Sequence, residues 1–307
     1  MQLEPIAGTQ TTFVTEVELW TPRDASSWDR VILDRSGLRA ESATIRGSLR
    51  SGHRVVARSM ASGRAEVATN DDRDANQSVE LAIPYYGASK LEAILVLRSP
   101  VDSRHAGCVE IWEPASVDEL AHAEGYYGAL ADFELSSRLA RFRFGSGLPG
   151  LAWEKRRPHL IQDVRSSPSF LRSALALAHG LALGLAIPIT RGRDVAQVVT
   201  MISAVGSPIA SGVEIWIPDS GNRLWLEEGA YGAGHGAMLR AMKITCFMSG
   251  EGIVGRAYAT QRPLLWSKRQ PNAREVDSEA RSGPFDQVVA IPTFDAGKVR
   301  AVLVLRY

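Results

Sequence analysis

Over residues 213–217 the apolar and polar positions alternate: Val213, Ile215 and Ile217 point one way, Glu214 and Trp216 the other. A period of two predicts a strand with one face on a core. Two longer apolar runs, "LGLAIPI" and "VAQVVTMIS", flank the polar "TRGRD", and "VVAIPT" and "RAVLVLRY" flank "FDAGKV". Each set predicts a hairpin. Proline inside "AIP" points to an edge position, a bulge, or the unpaired start of a strand's second half, since proline brings no N–H to a ladder. The period turns helical between Ser167 and Gly180. There Ser167 is placed to cap, Pro168 suits a first turn, Leu171, Ala174, Leu175 and Ala178 share a face, and Gly180 ends the run. The corresponding stretch "NAREVDSEARSG" (272–283) is far more polar and predicts a looser helix.

These patterns recur. "VELWTP" (Val17 to Pro22), "VEIWEP" (Val109 to Pro114) and "VEIWIP" (Val213 to Pro218) are near copies, and "AIP" returns at Pro84, Pro188 and Pro292. Trp112 and Trp216 are 104 positions apart, as are Pro188 and Pro292, and "EGYYG" (Glu124 to Gly128) and "EGAYG" (Glu228 to Gly232) keep that offset. The first copy is shorter, with 64 positions from Trp20 to Pro84 against 76 in the others. Repeated landmarks in one order predict related units in tandem: residues 1–98, 108–204 and 212–307. Each reads as strand, strand, turn with short helix, variable segment, strand, tight turn, strand.

"GSGLPG" (Gly145 to Gly150) and "GEGIVG" (Gly250 to Gly255) match the glycine pattern of dinucleotide-binding loops. Pro158 and Pro263 follow eight residues after the last glycine, which leaves one or two helical turns where a crossover to a parallel strand needs a dozen residues or more. The first unit reads "GHRVVA" from Gly52 and has lost the pattern. The glycines are therefore assigned to a turn from strand into short helix, through positive φ or close backbone approach.

Composition adds exclusions. At 307 residues with 45% apolar and 22% charged residues the chain is ordinary globular material, and a net charge of +1 offers nothing to a polyanion. In "RLARFRF" (Arg138 to Phe144) the alternation predicts a half-buried strand with arginines outward, and with "EKRRPH" (Glu154 to His159) it makes no nucleic-acid patch. No apolar run reaches eighteen residues and no signal peptide begins the chain, so the expected location is cytoplasmic, with no membrane contact. Cys108 and Cys246 make neither a disulfide framework nor a zinc site, no metal spacing occurs, and no catalytic motif is found, so a non-enzymatic protein is expected.

The order "VEIWxP", "EGxYG", "GxGLPGxxW", an Asp, "PSFLR" and "GLAIPI" before a hairpin resembles a GAF domain, most closely from about Val109 to Ser203. The third unit keeps most of these landmarks; the first keeps its two ends. The resemblance implies an α+β, profilin-like fold for each unit: a central antiparallel sheet with short helices mainly on one face and a pocket between them. It also implies a sensory or regulatory role through a small molecule, a separate signalling protein, or a homo-oligomer. Covalent bilin is disfavoured because neither cysteine sits in the pocket-side loop. Cyclic nucleotide is disfavoured because the Asn-Lys-Phe-Asp-Glu signature is absent, and two isolated cysteines do not make a free methionine sulfoxide reductase. The cofactor stays unknown.

On the pocket side of unit two the candidates are Trp153, Asp163, Phe170, Arg172 and His179, which would suit a planar polar ligand; in unit three they are Tyr258, Trp266 and Phe285. The plainer assignment is a packed core, with Asp163 pairing Arg172 at its rim. An open, partly polar cavity in unit two would favour a ligand reader. A filled pocket would favour an interaction scaffold, oligomerised through sheet faces. The linkers "SPVDSRHAG" and "AVGSPIASG" have no room for the helix that usually joins tandem GAF domains. Yet the last strands "AILVLR", "VVTMIS" and "AVLVLR" are apolar at nearly every position and need both faces covered. Covering on the order of 400 Å² of bare sheet per unit is worth ~10 kcal/mol, as much as a domain's net stability. The sheet backs are therefore expected to pack on one another, within the chain or across a dimer, with Val302 and Val304 as probes.

Overall fold

The structure, a computed structural model, describes residues 11–24, 27–44, 53–70, 77–87, 90–102, 104, 106–232, 235–269 and 284–307. Gly52 and the polar stretch 272–283 lie outside them.

The first unit comprises β1 (Glu16–Pro22), β2 (Ser27–Asp34), β3 (Gly37–Thr44), α1 (Arg54–Ser62), β4 (Glu66–Asn70), β5 (Ser78–Gly87) and β6 (Lys90–Pro100). The second comprises β7 (Gly107–Pro114), β8 (Glu119–Tyr126), α2 (Ala131–Leu139), β9 (Arg141–Arg143), α3 (Gly147–Lys155), β10 (His159–Ile161), α4 (Ser173–Ala178), β11 (Leu181–Arg191) and β12 (Asp194–Ala204). The third comprises β13 (Gly212–Pro218), β14 (Leu224–Tyr231), α5 (Gly236–Met242), β15 (Cys246–Phe247), α6 (Gly252–Thr260), β16 (Leu264–Ser267), β17 (Gln287–Asp295) and β18 (Lys298–Arg306). Each unit forms one six-stranded antiparallel sheet, and in all three the strands lie in the order third, second, first, sixth, fifth, fourth. The chain thus carries three tandem repeats of one α+β plan, and among the described residues every strand pairing around Gly145 is antiparallel, which a dinucleotide fold is not.

The strand pattern explains the plan. In β7 and β13 the motif sends valine and isoleucine to one face of the sheet and Glu-x-Trp to the other, and both faces are buried. Pro84, Pro188 and Pro292 lie on the strand next to the sheet edge. Each is two residues beyond the last partner on the short edge strand, at Ala82, Ala186 and Ala290, and one or two residues before a bulge. The missing N–H therefore costs no ladder bond on that side. Within the two glycine loops, Gly145, Gly147, Gly250 and Gly252 all take positive φ, while a Cβ on Gly150 or Gly255 would fall on the carbonyl oxygen of Arg143 or Met248. They are turns into α3 and α6, as the short spacing to proline predicts.

One helix differs from expectation. It begins at Ser173, not at Ser167, and spans six residues. Leu171, Ala174 and Ala178 are exposed rather than forming the inner face, and Ala176 is the fully buried residue. The residues before it form turns, with Phe170 N–H bonded to Ser167 O at 3.1 Å and Ser173 N–H to Phe170 O at 3.2 Å. These turns allow both Phe170 and Arg172 to reach inward, which a regular helix from Ser167 would not.

The backs of the sheets share one core inside the chain. Val17, Leu95, Ile111, Met201, Ile215 and Leu303 belong to a single buried cluster drawn from all three units. Val302 and Val304 do not face it. They lie in the third unit's own cluster beneath its helices, so Ala301, Leu303 and Leu305 are the residues that report on the shared core. The fourth strand of each unit packs on the second strand of the next: β4 on β8, β10 on β14, and β16 on β2. Three such head-to-tail contacts close a ring.

Polar groups fix the seams of this ring. Between units two and three, Glu228 accepts from Leu160 N–H at 2.6 Å and lies 2.8 Å from His159 Nδ1, and Arg157 and Arg156 pair with Glu227 and Asp295. The basic run "EKRRPH" is thereby spent on acidic groups of the neighbouring unit. Between units one and two, Arg58 reaches Glu124 at 3.3 Å and Gln197 Oε1 accepts from Ala65 N–H at 2.7 Å. Between units three and one, Tyr85 Oη donates to Gln261 O at 2.8 Å and Arg269 donates to Ser36 O at 3.3 Å.

Candidate functional site

On the helix-covered side of each sheet the repeated Glu-x-Trp motif places a carboxylate with no exposure to solvent: Glu18, Glu110 and Glu214. A buried carboxylate is tolerated only when paired and hydrogen-bonded, and each of these is. The tryptophan two residues on donates its indole N–H in all three units, at 2.7 Å for Trp20, 3.3 Å for Trp112 and 2.7 Å for Trp216. The compensating cation, however, comes from different places. In unit one Glu18 is held by Arg30 of β2 and by Arg98 of β6, the latter at 3.0 Å. In unit three it is Arg306 of β18, with two bonds to Glu214 at 2.5 and 3.1 Å. In unit two the matching strand position holds Ile202, as the pairing of Cys108 with Ile202 and of Gly212 with Arg306 demonstrates. There the cation is Arg172, from the segment before α4. It grips both oxygens of Glu110, with Nη2 at 2.9 Å, and also bonds Ser137 Oγ.

The surroundings of Arg172 are aromatic. Its guanidinium carbon lies 4.5 Å from the ring centre of Phe133, 5.3 Å from Phe170, 5.5 Å from Trp112 and 5.6 Å from Phe142. Thr200 Oγ1 donates to Glu110 at 2.8 Å and Tyr127 Oη at 3.3 Å. Burial works to raise the Glu110 carboxyl, but the charge and hydrogen bonds of Arg172, with those of Ser137 and Thr200, hold it below the ordinary carboxylate range. The Cys108 thiol is pushed well up, first by burial and then by Glu110, so it is an inert core thiol. Burial likewise lowers His122, whose Nε2 lies 2.7 Å from Tyr127 Oη, so this imidazole is neutral at pH 7.

The structure therefore brings one of the five unit-two candidates, Arg172, onto Glu110, with a second, Phe170, beside the Arg172 guanidinium. Asp163 does not pair with Arg172: it pairs with Arg165, two residues on, at 2.8 Å. Trp153 is buried on α3 and meets Phe144 edge-on at 5.4 Å. His179, just after α4, bonds Asp132 in the first turn of α2 at 2.6 Å and ties the two helices. In unit three Phe285 is buried, stacks on Tyr231 at 5.9 Å and lies beneath Arg306 at 6.0 Å. Trp266 is core, and Tyr258 donates to Asn222 at 2.7 Å. Phe285 also lines a cleft of about 420 Å³ at the seam with unit one, together with His235, Arg269, Tyr307, Thr15 and Arg35. The residues missed by sequence reasoning are the three glutamates. Their signal was present: a charged residue repeated in three copies, on the same strand face as a tryptophan.

Among the described residues no group of three or more metal-ligating side chains occurs, and no helix is long and apolar enough to cross a membrane. No family model matches the sequence, and no curated protein does. Solved structures with similarity include the GAF domain of an A. aeolicus protein in an inactive state, at 20% identity over 31% of this chain and 56% of that one, TM-score 0.26. They also include a GAF domain/HD domain protein from Geobacter sulfurreducens, at 20% identity over 33% and 65%, TM-score 0.29. A third is the GAF domain of a phosphoenolpyruvate-protein phosphotransferase from Coxiella burnetii, at 20% identity over 33% and 57%, TM-score 0.26. The chain thus spans between about half and two thirds of the length of these proteins.

Proposed function

We propose that this chain is a non-enzymatic sensory or regulatory protein in which the second unit is the responsive one. A single observation carries the reading. Units one and three neutralise their buried carboxylate with an arginine fixed in the sheet, whereas unit two does so with Arg172, in the turns just before α4 that lie over the sheet. An arginine in a strand cannot leave without unfolding the sheet. One on a covering segment leaves whenever that segment lifts, which gives unit two two discrete arrangements for a ligand to choose between. The shared core then couples a change in unit two to the outer surfaces of its neighbours, where a protein partner would read it.

A second reading, an interaction scaffold, is favoured by the way Phe133, Phe142, Phe170 and Arg172 fill the unit-two pocket. The two separate by experiment. Thermal-shift screening of the full chain against nucleotides, amino acids, guanidino compounds and haem is followed by hydrogen exchange on each hit. A responsive unit two predicts at least one compound that shifts the melting temperature and changes exchange over residues 163–180. A panel that leaves both unchanged would sink the reading in favour of the scaffold.

A further inference from the structure

Resting on the reading of unit two as responsive, we propose that its ligand carries a guanidinium or amidinium group, which takes the place of the Arg172 guanidinium on Glu110. Three features of the site carry this. When the segment lifts, Glu110 loses the one cation that pairs with it among the described residues, and a buried carboxylate without a countercharge is strongly unfavourable. An anionic or neutral ligand leaves that penalty standing; a cation removes it. The geometry then selects the type of cation. Both carboxylate oxygens accept from one planar fork and Ser137 Oγ accepts from the same nitrogen, and a compact ammonium cannot reproduce that arrangement. The rings of Trp112, Phe133 and Phe142 remain on the sheet and on α2 when the segment leaves, and flat delocalised cations sit well on such faces.

Two further details prepare the site for a displacing ligand, apart from the buried Nε–H of Arg172, which like that of Arg98 in unit one has no hydrogen-bond partner among the described residues. Glu110, in contrast, keeps Trp112, Thr200 and Tyr127 as donors whether or not Arg172 is present, so the carboxylate stays aimed. The strand arginine that closes the matching place in units one and three is replaced by Ile202 here, which leaves the position on Glu110 to be contested.

The test uses the full chain and methylguanidinium chloride at millimolar concentration, against urea and n-butylammonium at matched ionic strength. Hydrogen exchange and calorimetric titration are the readouts. Methylguanidinium is expected to bind the wild type saturably and to raise exchange over residues 163–180 at least threefold, with no such effect from urea or n-butylammonium. Arg172→Ala, which removes the internal competitor, is expected to bind at least tenfold tighter. The double variant Arg172→Ala/Ile202→Arg returns the cation to the strand and is expected to fold and to bind nothing, which keeps the test decisive if the single variant does not fold. No saturable binding by the wild type, an equal response to urea or n-butylammonium, or undiminished binding by the double variant would each overturn the proposal. If methylguanidinium fails while another compound alters exchange over 163–180, the ligand class falls and the responsive unit stands. If no compound does, both fall.

Discussion

Glu110 and Arg172 are each almost fully enclosed, so their pairing has a measurable sign. Removing one partner of a buried pair costs about 3–5 kcal/mol, and Arg172→Ala is expected to lose that much in urea denaturation. The pH dependence separates this from simple loss of packing. In the wild type the Glu110 carboxyl is lowered on folding. Its contribution is therefore fully present above the ordinary carboxylate range and is lost as pH falls through the lower folded value. In Arg172→Ala burial is opposed only by the neutral donors such as Thr200 and no longer by a charge, the folded value is expected to rise above the ordinary one, and the variant should gain stability relative to wild type as pH falls from neutrality. Denaturation midpoints of both proteins between pH 7 and the acid limit check the crossing; parallel curves would contradict it. The pair was half legible in the sequence. Arg172 stood out beside Phe170, but a partner 62 positions earlier, inside a strand motif, could not be found from spacing. Asp163 was the nearer acid and proved to be engaged with Arg165.

At the scale of elements, the glycine loops and the prolines were readable because each answers a backbone constraint that no other residue type meets. Positive φ and close approach are divided within one loop: Gly250 has open space around a Cβ, whereas Gly255 has the Met248 carbonyl in its way. Gly255→Ala and Gly150→Ala should each cost about 1–3 kcal/mol, as forced overpacking does, and Gly250→Ala about 1–2 kcal/mol through the left-handed conformation alone. Urea midpoints rank the three, and equal costs would mean that approach is not the constraint. The helix at residue 173 was misplaced for the opposite reason. Capping and apolar spacing at Ser167, Leu171 and Ala174 are local preferences, and the demand that Phe170 and Arg172 both turn inward overrode them.

Across the molecule the three sheets melt or stand together. Leu303 belongs to the core shared by all units, so Leu303→Ala should cost about 2–5 kcal/mol and move a single calorimetric transition. Separate transitions for the units would disprove the shared core. That the backs would meet was predictable from strands apolar at nearly every position; that they meet within the chain was not, because composition does not distinguish a sibling unit from a second copy. The ring has a further consequence. Its three seams are alike in which strands meet, and among the described residues the chain passes from unit to unit at two of them, after β6 and after β12. Thr12 and Tyr307 line the same cleft at the third. Which repeat comes first in the gene is then incidental to the architecture: joining residue 307 to residue 11 through a short linker and cutting at Gly206, whose surroundings are open, would yield a rearranged polypeptide with the same circle of sheets.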